Sequence, residues 1–321
     1  MSPYDILLTV VDVILGVIAI SIYILLITKL IKKDPDFQIK FYGILVLNNS
    51  IEFLFIGVEY FLVRFPLMGY FNEWYLSVGK FPGCIYGLSV YLPCVIALGQ
   101  LTQTINRFVV IKFPLSFNKI FNKWLIGSLL LLQIFFPITN MIWSWNETVI
   151  VHSSVDNETI IVEMDNSYTQ NMMIEFGVFS MMLTCAACCF FGIWSFIIVL
   201  KMRKSNHNSL GQLKRELNLF MFVGLEIMAQ ILLIIAALVQ LYSGLGGLNN
   251  IYIVALHLYP FFENFLCLTN GIMLLIACST VRKHYLHFYF KFIYKWKKKN
   301  PGNKKTSVII SASHKVRVSP M

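Results

Sequence analysis

Apolar residues fall in seven long runs, at 6–28, 41–63, 83–106, 124–145, 171–200, 217–242 and 251–278, with polar and charged residues gathered between them. A helix needs roughly 20 consecutive apolar residues to cross a bilayer. The pattern therefore predicts an all-α membrane protein, a seven-transmembrane helix bundle over residues 1–281. A different rhythm follows. Tyr285, Phe288, Tyr289, Phe292, Ile293 and Trp296 recur at helical spacing, while Arg282, Lys283, Lys291 and Lys295 lie off that stripe. This predicts an amphipathic eighth helix over 282–299 lying in the membrane interface, stopped by Pro301-Gly302, and a disordered cytoplasmic tail over 300–321.

Composition agrees with the runs. Of the 321 residues, 57% are hydrophobic and 13% charged, against about 25% charged in a soluble domain. No stretch remains for a soluble domain. The first run has no basic lead-in or small-residue cleavage site and is too long for a signal-peptide core, so it reads as the first span. The two halves share neither loop lengths nor motifs, which gives no support to an inverted-repeat transporter.

A net charge of +10 invites a nucleic-acid partner until the charges are located. Segments 29–40, 107–123, 201–215 and 279–321 hold 24 of the 26 Lys and Arg residues, while 1–5, 146–170 and 243–250 hold none. The charge reports topology instead. By the positive-inside rule the N-terminus is extracellular and the C-terminus cytoplasmic, as in a multi-pass plasma-membrane protein. Arg64 and Lys80 fall between the second and third runs, in a segment whose aromatics (Tyr70, Phe71, Trp74, Tyr75) read as an interfacial belt. Segment 146–170 carries five acids, no base, and two glycosylation sequons at Asn146 and Asn157.

Polar residues inside the runs mark the candidate site, because such groups must face other helices or water. Asp12, Glu59, Gln100, Glu175, His257 and Glu263 sit at outer or middle depth and are candidates for a ligand pocket. Gln100 fits ligand contact or an interhelical hydrogen bond; Glu263 fits ligand contact or a structural water network. Glu52 and Asn270 lie deeper, in a bundle polar network. Cys185, Cys188 and Cys189 have no His or carboxylate at ligand spacing and read as small buried hydrophobes rather than a metal site. No cofactor motif is present. The histidines are scattered, and neither His-Glu-x-x-His nor Gly-x-Ser-x-Gly occurs, so an enzyme has no support.

The third run ends at Asn106-Arg107-Phe108, followed by Val109, Ile111 and Pro114-Leu115. This resembles the acid-Arg-aromatic triplet of rhodopsin-like G-protein-coupled receptors, and Asn270 precedes Arg282 by the twelve residues that separate the corresponding pair in that class. Several features of the class are missing: a proline in the sixth run, an acid before Arg107, and a cysteine in 146–170 to bridge Cys84. The chain is more similar to the nematode serpentine chemoreceptors of the Srg superfamily, class V, G or X. That likeness rests on Arg64-Phe65-Pro66, on the triplet with its later Pro114-Leu115, on Phe121 to Trp124, on Glu216-Leu217-Asn218-Leu219, and on Ser279 to Arg282.

The resemblance implies a chemosensory receptor that binds a small molecule in the outer half of the bundle and activates a heterotrimeric G protein at the cytoplasmic face. In that reading Arg107, with Asn106 and Pro114, forms the coupling switch and Glu216 is its resting partner; Glu216 also suits a helix first turn through the dipole alone. The alternative from another class is a seven-span channel or transporter subunit.

Overall fold

The computed structural model describes residues 3–37, 39–153, 160–205, 210–245 and 249–291, with side chains throughout except at 3–7, 202–205, 210–223, 244–245, 249–253, 255–257 and 269. Seven of its helices are long and apolar enough to cross a membrane. The first span is Pro3–Ile31; the second begins as Ile39–Glu59; the third is Gly83–Lys112. The fourth is broken at Pro137 into Lys123–Phe135 and Ile138–Ser144, because proline has no N–H to donate and its ring crowds the preceding turn. Ser167–Ser205, Leu210–Leu245 and Asn249–Ala277 complete the set. Where the chain re-enters at the fourth span, the Asn122 side chain caps the helix by accepting the Leu125 N–H at 2.9 Å.

The third span packs on the second, fourth, fifth and sixth, the seventh joins the sixth to the first, and the first also meets the second. Two apolar clusters hold this ring. Phe55, Leu92, Ile96, Leu233 and Leu266 join spans two, three, six and seven, and Cys94, Val178, Met181 and Ile234 join three, five and six.

Three expectations about helix ends are corrected. The second span does not stop at residue 63: a π-helical turn, Tyr60–Arg64, closed by the Phe65 N–H onto the Tyr60 carbonyl, leads straight into Phe65–Leu67. Pro66 therefore opens a new helical turn, where its missing N–H costs nothing, instead of starting a loop. Arg64 is consequently a buried helical residue and not a loop base. The third span runs to Lys112, so Arg107 lies more than a turn inside the helix.

The segments expected as loops at one end fold into a small cap. Strands β1 (Lys80–Pro82), β2 (Thr148–Ser153) and β3 (Ile160–Met164) form an antiparallel sheet in the order β1-β2-β3, with Phe81 opposite Val149 and Val151 opposite Val162. Beneath it, Tyr75, Phe81, Val149, Ile160, Met164 and Met173 are buried together. The aromatic segment is thus divided: Tyr75 belongs to the cap core, its hydroxyl donating to the Phe61 carbonyl at 2.5 Å, while Tyr70, Phe71 and Trp74 are exposed. Burial pushes the Tyr75 phenol up to about 12.

Residues from Ser279 onward form a second unit, in which Ser279–Tyr289 is helical. Residues 292–299 of the expected eighth helix and the tail 300–321 lie outside the described residues.

Candidate functional site: a capped cavity and a buried charge cluster

At the cap end the bundle forms a partly open cavity of about 120 Å³. Five spans line it. Glu59 and Leu62 come from the second, Tyr86 to Pro93 from the third, Ile174 to Met181 from the fifth, Ala237 and Gln240 from the sixth, and Tyr259 from the seventh; strand β3 closes it through Ile160–Glu163. The wall is mainly apolar, with a few polar groups facing in, the usual composition of a small-molecule site.

Behind the cavity lies a cluster of buried charge. Arg64 donates through Nη1 to Asp12 Oδ2 at 2.5 Å and through Nη2 to the Pro260 carbonyl at 2.6 Å. The Tyr60 hydroxyl donates to the same Asp12 oxygen at 3.0 Å. One guanidinium thus ties the first, second and seventh spans. Glu59 and Glu263 lie within electrostatic range of it, but Oε2 of Glu59 and both oxygens of Glu263 have no hydrogen-bond partner.

A second polar layer crosses mid-bundle. Asn270 donates to Glu52 Oε1 at 2.7 Å, and Gln133 donates to Asn48 Oδ1 at 2.8 Å. Gln100 and Asn264 are buried there with both amide atoms unpartnered, and one oxygen each of Gln103, Glu226 and Gln230 is unpartnered too.

At the opposite end, the Arg107 guanidinium stacks on the Phe41 ring, 3.5 Å from its centre. Arg107 and Glu52 are the charged neighbours of buried Glu226 on the sixth span. Asn106 is buried and donates to the Lys40 carbonyl at 3.4 Å, while Pro114 is exposed in the following turn.

The pocket candidates therefore separate. Glu59 lines the cavity. Asp12 and Glu263 stand in the charge cluster behind it, and Gln100 lies in the polar layer. Glu175 is exposed and does not line the cavity, because the face of the fifth span that it occupies points away from the bundle. The side chains of His257 and Glu216 lie outside the described residues, as does Asn157; Asn146 is exposed in the turn before β2.

Sequence reasoning missed Arg64, Tyr259, Gln240 and the β3 wall. Arg64 carried a usable signal: Asp12, Glu59 and Glu263 are three acids at similar depth in apolar runs, and a buried carboxylate demands a cation.

The family model described as the serpentine type 7TM GPCR chemoreceptor Srv matches residues 13–290. No curated protein matches the chain. The family match takes in most of the first apolar helix and the other six, the cavity, Arg64, Glu263 and Arg107, with Asp12 one residue before its start, and it is a receptor family, not an enzyme family; the chain belongs to the Srv family of serpentine seven-transmembrane G-protein-coupled chemoreceptors.

Proposed function

We propose that this receptor binds its small-molecule ligand in the capped cavity and activates a heterotrimeric G protein at the opposite end of the bundle, around Arg107. The observation that carries this reading is the cavity's construction from five spans and β3. A ligand touching all five discriminates between two arrangements of the bundle, and only such differential affinity shifts an equilibrium.

The cap faces outward and the Arg107 end faces the cytosol, in the plasma membrane. The distribution of Lys and Arg supports this orientation, and exposed Asn146 stands where a glycan has room, with Asn157 as the second acceptor. Arg107 is the switch, Asn106 fixes its helix to the second span, and Pro114 presents the following turn to the G protein. Glu216 at the cytoplasmic base of the sixth span is the resting partner of Arg107, and Glu226 supplies the second acid on that helix.

The test is an odorant-panel screen in cells expressing tagged receptor with a G-protein reporter. Ser89→Phe, which fills the cavity, abolishes the response at unchanged surface level. Arg107→Ala abolishes activation while the ligand still raises the melting temperature of the purified receptor. A ligand-gated current that persists without G protein would replace this reading with the channel.

A further inference from the structure

Glu59 and Glu263 have no cation of their own. Arg64 is the cluster's only described base; its two Nη groups hold Asp12 and the Pro260 carbonyl, and its Nε has no partner. Asp12 neutralises that charge, which leaves two carboxyls over. Glu263 is fully buried with both oxygens unpartnered, and Glu59 is 3% exposed with Oε2 unpartnered. An unpaired carboxylate in an apolar interior is stable only when it takes up a proton or meets a positive charge.

We infer that the cavity takes a small molecule carrying a protonated amine, with the ammonium group seated on the Glu59 carboxylate and the hydrocarbon body against the apolar wall. This rests on the cavity being the ligand site. Glu59 is both a cavity-lining residue and an acid with an unpartnered oxygen, so an occupant of the cavity lies beside a carboxyl group that lacks a partner. The other charged lining residue is also an acid, Glu163, which meets His152 at 3.5 Å. No Lys, Arg or His is among the described residues of the wall. An anion entering there meets two carboxylates and no cation. An ammonium meets Glu59 and the rings of Tyr86 and Tyr259, whose faces attract positive charge. Segment 146–170 holds five acids and no Lys or Arg, a local negative charge that attracts cations.

The experiment uses the purified full chain in detergent with three probes of one shape, hexylamine, 1-hexanol and hexanoate, which are positive, neutral and negative at pH 7. Melting temperature is followed against probe concentration. Hexylamine stabilises the receptor at a concentration about ten-fold or more below that of hexanol, the range expected for one charge-assisted hydrogen bond, and hexanoate is weaker still. Glu59→Gln, neutral and nearly isosteric, removes the advantage of the amine, and Glu59→Asp retains part of it. The proposal is overturned if hexanol or hexanoate matches hexylamine, if Glu59→Gln keeps the preference, or if hexylamine gives no shift. Ser89→Phe separates this failure from that of the cavity reading. A hexanol or hexanoate shift that Ser89→Phe abolishes leaves the cavity as the ligand site and removes only the cation. Shifts that survive Ser89→Phe remove the cavity itself.

Discussion

Arg64 on the second span and Asp12 on the first form an ion pair at 2.5 Å, with only 3% and 7% of the two side chains exposed. Breaking one side of such a pair leaves an uncompensated buried charge, at a cost of about 3–5 kcal/mol, whereas replacing both sides by apolar groups is often near neutral. Arg64→Met alone therefore lowers the melting temperature of the purified receptor sharply. The double variant Arg64→Met/Asp12→Leu recovers most of the loss. Additive losses in the double variant would show that the pair is not the energetic unit.

Gly99 on the third span lies against the Asn48 side chain. A Cβ there would come within 2.6 Å of Asn48 Cγ, and Asn48 also holds Gln133 of the fourth span. Gly99→Ala pushes Asn48 off that bond and destabilises the bundle by about 1–3 kcal/mol. Asn48→Ala in the Gly99→Ala background removes the collision, so the second substitution costs far less there than it does alone. A double-mutant cycle on melting temperature measures the difference.

Burial holds the Tyr75 phenol up at about 12, above the ordinary value of about 10. The sign follows from linkage. A raised folded pKa stabilises the cap fully below pH 10, and that contribution is lost as pH rises through about 12. Melting temperature against pH between 9 and 12 therefore falls more steeply in the parent than in Tyr75→Phe, which has no proton to lose. Parallel curves would mean that Tyr75 ionises freely in the folded state.

The Arg107 guanidinium sits 3.5 Å from the centre of the Phe41 ring. Arg107 is half-buried and Phe41 buried, and a contact of this kind contributes about 1 kcal/mol. Phe41→Leu keeps the apolar volume and removes the ring face, loosening one of the holds on Arg107. Basal nucleotide exchange on a reporter G protein rises in Phe41→Leu and is unchanged in Phe41→Tyr; equal basal rates in all three would leave the stacking without a role in the switch.

The seven spans were legible because a bilayer imposes one simple requirement, an uninterrupted apolar run of fixed length. Their ends were not. The third span continues past Arg107 because nothing in Phe108 to Lys112 opposes a helix once it has left the lipid. The strands were hidden for a related reason. Thr148–Ser153 and Ile160–Met164 are short, and their apolar alternation, Val149 with Val151 and Ile160 with Val162, gains meaning only when Phe81 and Tyr75 are brought beneath it from far along the chain. Single acids in the spans were visible as candidates. Which of them faces the cavity was not, because Glu59 and Glu175 differ in helix face, and a uniformly apolar helix does not announce which face turns inward. Arg64 was misplaced because Pro66 reads locally as a break, and only the π turn before it makes room for the proline.

All seven cysteines are free thiols, and the sheet over the cavity is anchored by apolar contact among residues such as Phe81, Val149 and Ile160. Its hold is that of an oil seal and not of a covalent clasp. Thiol reductants leave such a cover untouched, and its folding requires no oxidising step. Its grip also follows the thermal signature of apolar association, weakening as temperature falls.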